Sequence, residues 1–222
     1  MSLTFLTLFT LGGCQGELST LSPAGPAARD IATLWWGMLV GALLILSFVM
    51  LLILMAFRRP AKTADEAQQV RVWIVNLGLI FPVSILLALL VYGLVIGERL
   101  LPRSSAEVIT VEAEASRWSW TFSYPDRPGL QTQDVLHIPA GRPVDIEITS
   151  TDVIHSFWVP RVAGKMDAVP GHVNVLRIEA DRPGRYAGRS AEFSGSGYAS
   201  FGFTLIAHDP TAWESFLAGE TG

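Results

Sequence analysis

The chain has 222 residues, half of them hydrophobic and only 16% charged, with a formal net charge of −4 at pH 7. That composition leans towards a membrane protein, and the acidic balance gives no footing for a nucleic-acid partner. One cysteine, Cys14, excludes an intrachain disulfide and any metal site that needs two thiolates from this chain.

Residues 1–13 form a short apolar run that closes on Gly12-Gly13, just ahead of Cys14 and the polar Gln15. The pattern resembles a bacterial lipoprotein signal, cleaved before a cysteine whose thiol is then acylated, although the usual positively charged start is missing. The alternative is an idle or buried thiol on an uncleaved segment. Residues 14–101 read as an N-terminal segment and a helical hairpin. Uncharged runs at about 31–57 and 72–97 each exceed the ~20 residues that a helix needs to cross a bilayer. Trp35 and Trp36 sit where interfacial aromatics belong, and Pro82 predicts a kink in the second helix. Arg58, Arg59, Lys62 and Arg71 crowd the connection between the runs, which predicts a cytoplasmic loop. The N-terminus and everything after Leu101 then face outwards.

Residues 102–222 change character. Short segments separated by turn residues predict an all-β external domain. Ile109, Val111 and Ala113 alternate with Val108, Thr110, Glu112 and Glu114. Trp118, Trp120 and Phe122 alternate with Ser119 and Thr121, which predicts three aromatics on one strand face. Further strands are expected at 135–138, 144–148, 155–159, 173–180 and 201–207, with a loop at 125–129. Asp209-Pro210 should cap and open a short final helix. That many strands in about 110 residues predicts a Greek-key sandwich or barrel. From Arg103 onwards there are 15 acidic and 10 basic side chains, a mildly acidic balance that suits a solvated surface or a basic protein partner.

Four stretches resemble a known family. They are Arg117-Trp-Ser-Trp-Thr-Phe-Ser-Tyr-Pro125, Asp152-Val-Ile-His-Ser-Phe-Trp-Val-Pro160, Lys165-Met-Asp-Ala-Val-Pro-Gly171 and Gly188-Arg-Ser-Ala-Glu-Phe-Ser-Gly-Ser-Gly-Tyr198. Together with the hairpin, from Cys14 to about Ala207, they are similar to subunit II of haem-copper terminal oxidases. The resemblance implies two transmembrane helices followed by a cupredoxin-like domain. In the cytochrome c oxidising members, that domain holds a dinuclear copper centre, CuA, on one upstream histidine and a Cys-x-Glu-x-Cys-x-x-x-His-x-x-Met segment. Thiolates bridge the coppers, imidazoles complete the coordination and a thioether tunes the potential.

Carried across, His155 stands at the upstream histidine, Ser190 and Ser194 at the two cysteines, Tyr198 at the second histidine and Phe201 at the methionine. Glu192 keeps the position whose backbone carbonyl is a ligand. A serine hydroxyl stays protonated near neutral pH and does not replace a bridging thiolate, so no CuA centre is expected. The pattern is closest to subunit II of bo-type ubiquinol oxidases, which is copper-free and a lipoprotein. By that resemblance the chain carries no catalytic residue and no cofactor. Haems and copper would lie in subunit I, which the chain would anchor and cap in a bacterial inner membrane, with other oxidase subunits alongside and quinol as donor to the complex. Glu192 is a candidate Mg²⁺ ligand at the border with subunit I, or a carboxylate paired with an arginine.

Other residues draw plainer readings. Lone His155 is expected to be structural, and His137, His172 and His208 show no zinc-like spacing. Trp118, Trp120 and Phe122 are expected to pack rather than carry electrons. A hydrolytic site on Ser190, Ser194 and Tyr198 beside His155 would lack an acidic partner and an oxyanion loop. Val75 and Asn76 stand near where many family members carry a proton-channel glutamate, seven residues before the proline. Two rivals remain: subunit II of a cytochrome c oxidase fed by another electron route, for which the chain lacks a Cys-x-x-Cys-His, and a free-standing membrane-anchored cupredoxin-like binding module.

Overall fold

A computed structural model describes residues 16–58, 65–102 and 108–219. Cys14, Arg59 and Lys62, on which lipidation and part of the orientation rest, lie outside them. The chain divides into two compact units. One is helical, Thr33–Leu101; the other joins the residues up to Ala32 with those from Pro102 onwards. The sequence boundary at 101/102 did not assign that N-terminal stretch to the β unit.

Two helices carry the apolar runs, α1 (Pro26–Arg58) and α2 (Glu66–Leu100), of 33 and 35 residues. At 1.5 Å per residue, each exceeds the ~30 Å of hydrocarbon that a spanning helix must cross. Their leucines, among them Leu44, Leu86 and Leu94, are exposed, so neither is the covered core helix of a soluble protein. Ser47 and Ser84 donate to the carbonyls of Leu43 and Ile80, four residues back, at 2.7 and 2.8 Å, and so keep their hydroxyls satisfied in an apolar setting. Within α2, Val70–Ile80 winds as a π-helix and Phe81–Leu100 as an α-helix. The change falls between Ile80 and Phe81, just ahead of Pro82, whose ring lacks an N–H and crowds the carbonyl four residues back.

Among the described residues, the β unit is a sandwich of ten strands: β1 (Ile109–Ser116), β2 (Ser119–Ser123), β3 (Gln131–Gln133), β4 (Val135–Pro139), β5 (Val144–Ser150), β6 (His155–Trp158), β7 (Lys165–Ala168), β8 (Asn174–Ile178), β9 (Gly184–Ser190) and β10 (Gly202–His208). One sheet runs β3-β2-β1-β5-β8 and the other β4-β10-β9-β6-β7. Both are mixed: β1 lies parallel to β5 with Val111 opposite Ile146, and β10 parallel to β4 with Ile206 opposite His137. Alternation decides the faces. Val111, Ala113 and Ala115 point into the core while Glu112 and Glu114 face water. In the centre, the Trp120 ring lies 5.7–6.2 Å from those of Phe122, Phe157, Phe201 and Phe203. Trp118 departs from its expected place. It precedes β2, is 38% exposed, and lies over Gly195 and Gly197, where a Cβ would come within 3.0 and 2.5 Å of its ring.

Helix α3 (Pro210–Ala218) closes one side, with the Asp209 carboxylate accepting from the Ala212 N–H at 2.9 Å as expected of an N-cap. On another side, the segment before α1 is stitched to the sandwich. The Ala24 N–H donates to the Arg161 carbonyl at 2.6 Å, and the Ala24 carbonyl accepts from the Asp181 N–H at 2.8 Å. Only glycine fits next: a Cβ on Gly25 would lie 2.2 Å from the Glu179 carbonyl oxygen and 2.6 Å from that of Val162.

Candidate functional site

The four matching motifs converge at one end of the sandwich. Strands β6 and β9 pair antiparallel with Phe157 opposite Ser190, and the Ala191 N–H continues the ladder to the Ser156 carbonyl at 3.1 Å. The Ser190 N–H donates to the Phe201 carbonyl at 3.0 Å, so both ends of loop 191–201 are pinned together. Inside the loop, Tyr198 and Phe201 donate to the carbonyls of Gly195 and Tyr198 at 3.2 and 3.1 Å.

His155 is fully buried. Its Nε2 lies 2.8 Å from Asp152 Oδ1, and its ring meets that of Phe201 edge-on at 5.3 Å. An ionised carboxylate only accepts, so Nε2 carries a proton and donates to Asp152, and Nδ1 is the ring nitrogen turned away from that bond. Asp152 is held ionised. Burial raises its pKa, but the Val153 N–H, His155 and the Arg117 N–H together offset that and bring it to about 2. This carboxylate is the acidic partner that the sequence reading found missing beside His155. It does not make a hydrolase, because His155, Ser190 and Ser194 are all buried and no substrate reaches them.

Ser190 and Ser194 are 2% and 6% exposed. Neither hydroxyl, nor His155 Nδ1, has a protein hydrogen-bond partner. Phe201 is buried against Trp120. Tyr198 is 40% exposed and touches Phe193 edge-on at 5.1 Å. The structure therefore gathers His155, Ser190, Ser194 and Phe201 into the interior and leaves Tyr198 and Glu192 at the surface. Glu192 pairs with Lys165 at 3.5 Å rather than with an arginine and accepts from the Phe193 N–H at 3.1 Å. Among the described residues, no three His, Cys, Asp or Glu side chains come together to hold a metal ion. The donors at this end are one imidazole nitrogen and neutral hydroxyls. That set does not fit a thiolate-bridged copper pair.

A histidine pair away from this end was not visible in the spacing. The parallel pairing of β4 with β10 brings His137 and His208 together, Nδ1 to Nε2 at 2.7 Å, with the His137 ring stacked on Phe216 of α3 at 4.1 Å. Burial, then the neighbouring His208 and Arg185 charges, lower the His137 pKa to about 4, and burial lowers that of His208. A histidine depressed in the folded state binds fewer protons than in the unfolded chain, so its contribution is present above pH 6.5 and lost as pH falls towards 4. Unfolding midpoints of the full chain should thus be flat above pH 7 and fall between pH 6.5 and 4, with a shallower fall in His137→Gln. An equal slope in the variant would remove His137 from the account.

Residues 128–207 match the family described as cytochrome c oxidase subunit II, periplasmic domain. Over 220 residues the chain is 30% identical to a quinol oxidase subunit 2 of Bacillus cereus, which covers 95% of this chain and 75% of that one. It is 32% identical over 237 residues to a cytochrome c oxidase subunit 2 of Alkalihalophilus pseudofirmus, covering 99% and 67%. A ubiquinol oxidase subunit 2 of Acetobacter aceti is 30% identical over 208 residues, covering 89% and 67%. Both kinds of donor thus occur in the names of relatives at similar identity.

Proposed function

The chain belongs to the subunit II family of haem-copper terminal oxidases, and from that premise we propose that it is a copper-free subunit II of a quinol-oxidising enzyme. Membership makes it a membrane-anchored, two-pass component of an oxidase complex with subunit I. The observation that carries the finer reading is the donor set. Both bridging-thiolate positions are serines, Ser190 and Ser194, and the thioether position is Phe201, whose ring packs against Trp120 at 6.0 Å. A domain so built has no centre to receive an electron from cytochrome c, so electrons would enter subunit I directly from membrane quinol. The chain then contributes no catalytic residue. It caps and anchors subunit I, which would hold the haems and copper.

Three finer readings go with this. Cys14 is the acylation site, the β domain faces the outer side of a bacterial inner membrane, and Glu192 supplies a hard oxygen ligand to Mg²⁺ at the subunit I border. Glu192 supports the last, since its side chain is 40% exposed and only loosely paired with Lys165. With Val75 at the family's channel-glutamate position, proton uptake would not use an ionisable group there.

Oxygen uptake by the purified complex tests the proposal. Uptake is expected with ubiquinol and not with reduced cytochrome c. The reverse would sink it, and would make the Alkalihalophilus relative's name the better guide.

A further inference from the structure

We propose that the pocket between the N-terminal segment and the outer face of β9 and β10 binds a phosphate group through Arg161 and Arg185. A cavity of about 250 Å³ is lined there by Glu17, Arg161, Arg185, Tyr186, Ala187 and Thr204. Arg161 is fixed in place. Its Nε donates to the Ser22 carbonyl at 2.9 Å, and its guanidinium lies 5.7 Å from the centre of the Tyr186 ring. Tyr186 is itself tethered, its hydroxyl donating to the Arg182 carbonyl at 2.9 Å. That leaves the two terminal nitrogens of Arg161 for a ligand.

Arg185 stands two residues from Ala187 on the same strand, so the two share the outward face of β9, and Thr204 lies directly opposite Ala187 on β10. Among the described residues, the Arg185 side chain has neither a hydrogen bond nor an ion pair. Its charge is felt nearby, since it helps to depress His137. Glu17 also lines the pocket but makes no ion pair with either arginine within 4.0 Å. Ala187 matters by being small: a longer side chain would fill the space between the arginines and Thr204.

Two arginines and one carboxylate, Glu17, line the cavity, so its formal charge is +1 and it attracts an anion. The arginines' planar forks match the tetrahedral oxygens of phosphate, and the Thr204 hydroxyl adds a donor. Two sources share this chemistry. Arg161 is tied to Ser22, four residues ahead of Pro26, where the apolar helix α1 begins, so a phospholipid headgroup is one. Free inorganic phosphate is the other. The site stands whichever electron donor the oxidase uses.

The test uses the detergent-purified full chain with its co-purifying subunits, and Arg185→Gln and Ala187→Leu variants. Among the described residues the Arg185 side chain makes no hydrogen bond or ion pair, and Ala187 is only half-buried, so both variants should fold. Inorganic phosphate is titrated by ³¹P line broadening, and retained lipid is counted by native mass spectrometry after reconstitution in phosphatidylglycerol or phosphatidylcholine nanodiscs. Phosphate binding that weakens about tenfold or more in both variants, the worth of a charge-assisted hydrogen bond, identifies the free anion. No phosphate binding, but phosphatidylglycerol retained by the wild type and lost from both variants, identifies the lipid. Absence of both, or binding that persists in either variant, overturns the site.

Discussion

Replacing Trp120 with alanine is expected to cost the β domain about 3–5 kcal/mol, the range for deleting a large buried aromatic that leaves a cavity. Trp120 is fully buried, and four phenylalanine rings surround it: Phe122 from its own strand, Phe157 from β6, Phe201 from the end of the loop and Phe203 from β10. It thus joins the two sheets and the degenerate motif in one contact set. Its backbone is also held at both groups. The N–H donates to the Asp134 carboxylate at 2.8 Å, and the carbonyl accepts from the Asp134 N–H at 2.8 Å. Alanine keeps those bonds and removes the ring, which isolates packing as the cause. Trp120→Phe retains most of the contact and should cost under half as much. Near-ultraviolet circular dichroism of the full chain during heating checks this: the midpoint should fall by roughly 10 °C or more for alanine. A fall of a degree or two would mean that loop 191–201 is not built on this cluster.

The Trp120 cluster also explains how much of the fold could be read beforehand. Strands with clean alternation, such as β1 and β5, declare their inward face through Val111, Ala113, Ile146 and Ile148. Strand β9 does not. Gly184-Arg-Tyr-Ala-Gly-Arg-Ser190 has few apolar residues, and of its inward positions Tyr186, Gly188 and Ser190 the middle one must be small: a Cβ on Gly188 would sit 2.4 Å from the Phe203 ring. Strand β3, Gln131-Thr-Gln133, is an all-polar edge, and β7 begins on Lys165, so neither shows a hydrophobic period. The degenerate motif was legible residue by residue, since its spacing is local. Its setting was not. Asp152 lies only three residues from His155, yet a turn has to bring the carboxylate back onto the imidazole. The His137–His208 contact depends on a parallel pairing of strands 71 residues apart, which no local spacing records. The arginine pocket is of the same kind, since its wall includes a segment that precedes the membrane helices in sequence.

Exchanging four side chains should turn the motif end of the sandwich into a copper site. The full chain carrying Ser190→Cys, Ser194→Cys, Tyr198→His and Phe201→Met is expected to retain a dinuclear copper load after dialysis, while the wild type retains none. Much of the frame is already in place. His155 Nδ1 is without a protein partner, and the ring is oriented by the 2.8 Å contact of Nε2 with Asp152, the outer-shell arrangement that fixes a ligating imidazole. The Ser190 and Ser194 hydroxyls are buried and bonded to no protein group, so exchanging oxygen for sulfur breaks no existing bond. Loop 191–201 is closed by backbone hydrogen bonds that do not involve the altered side chains. Two costs oppose binding. Tyr198 is 40% exposed, so its histidine replacement must turn inwards. Phe201→Met removes a ring from the Trp120 cluster, a loss on the order of 1 kcal/mol. A cluster of thiolates around copper outweighs both. Elemental analysis of copper per chain and a thiolate-to-copper absorption band are the readouts, and adding His155→Ala should abolish both. Copper retained by the wild type would contradict the copper-free reading directly. Copper in the variant that survives His155→Ala would mean that the thiols bind it adventitiously, away from the position that the family's motif marks.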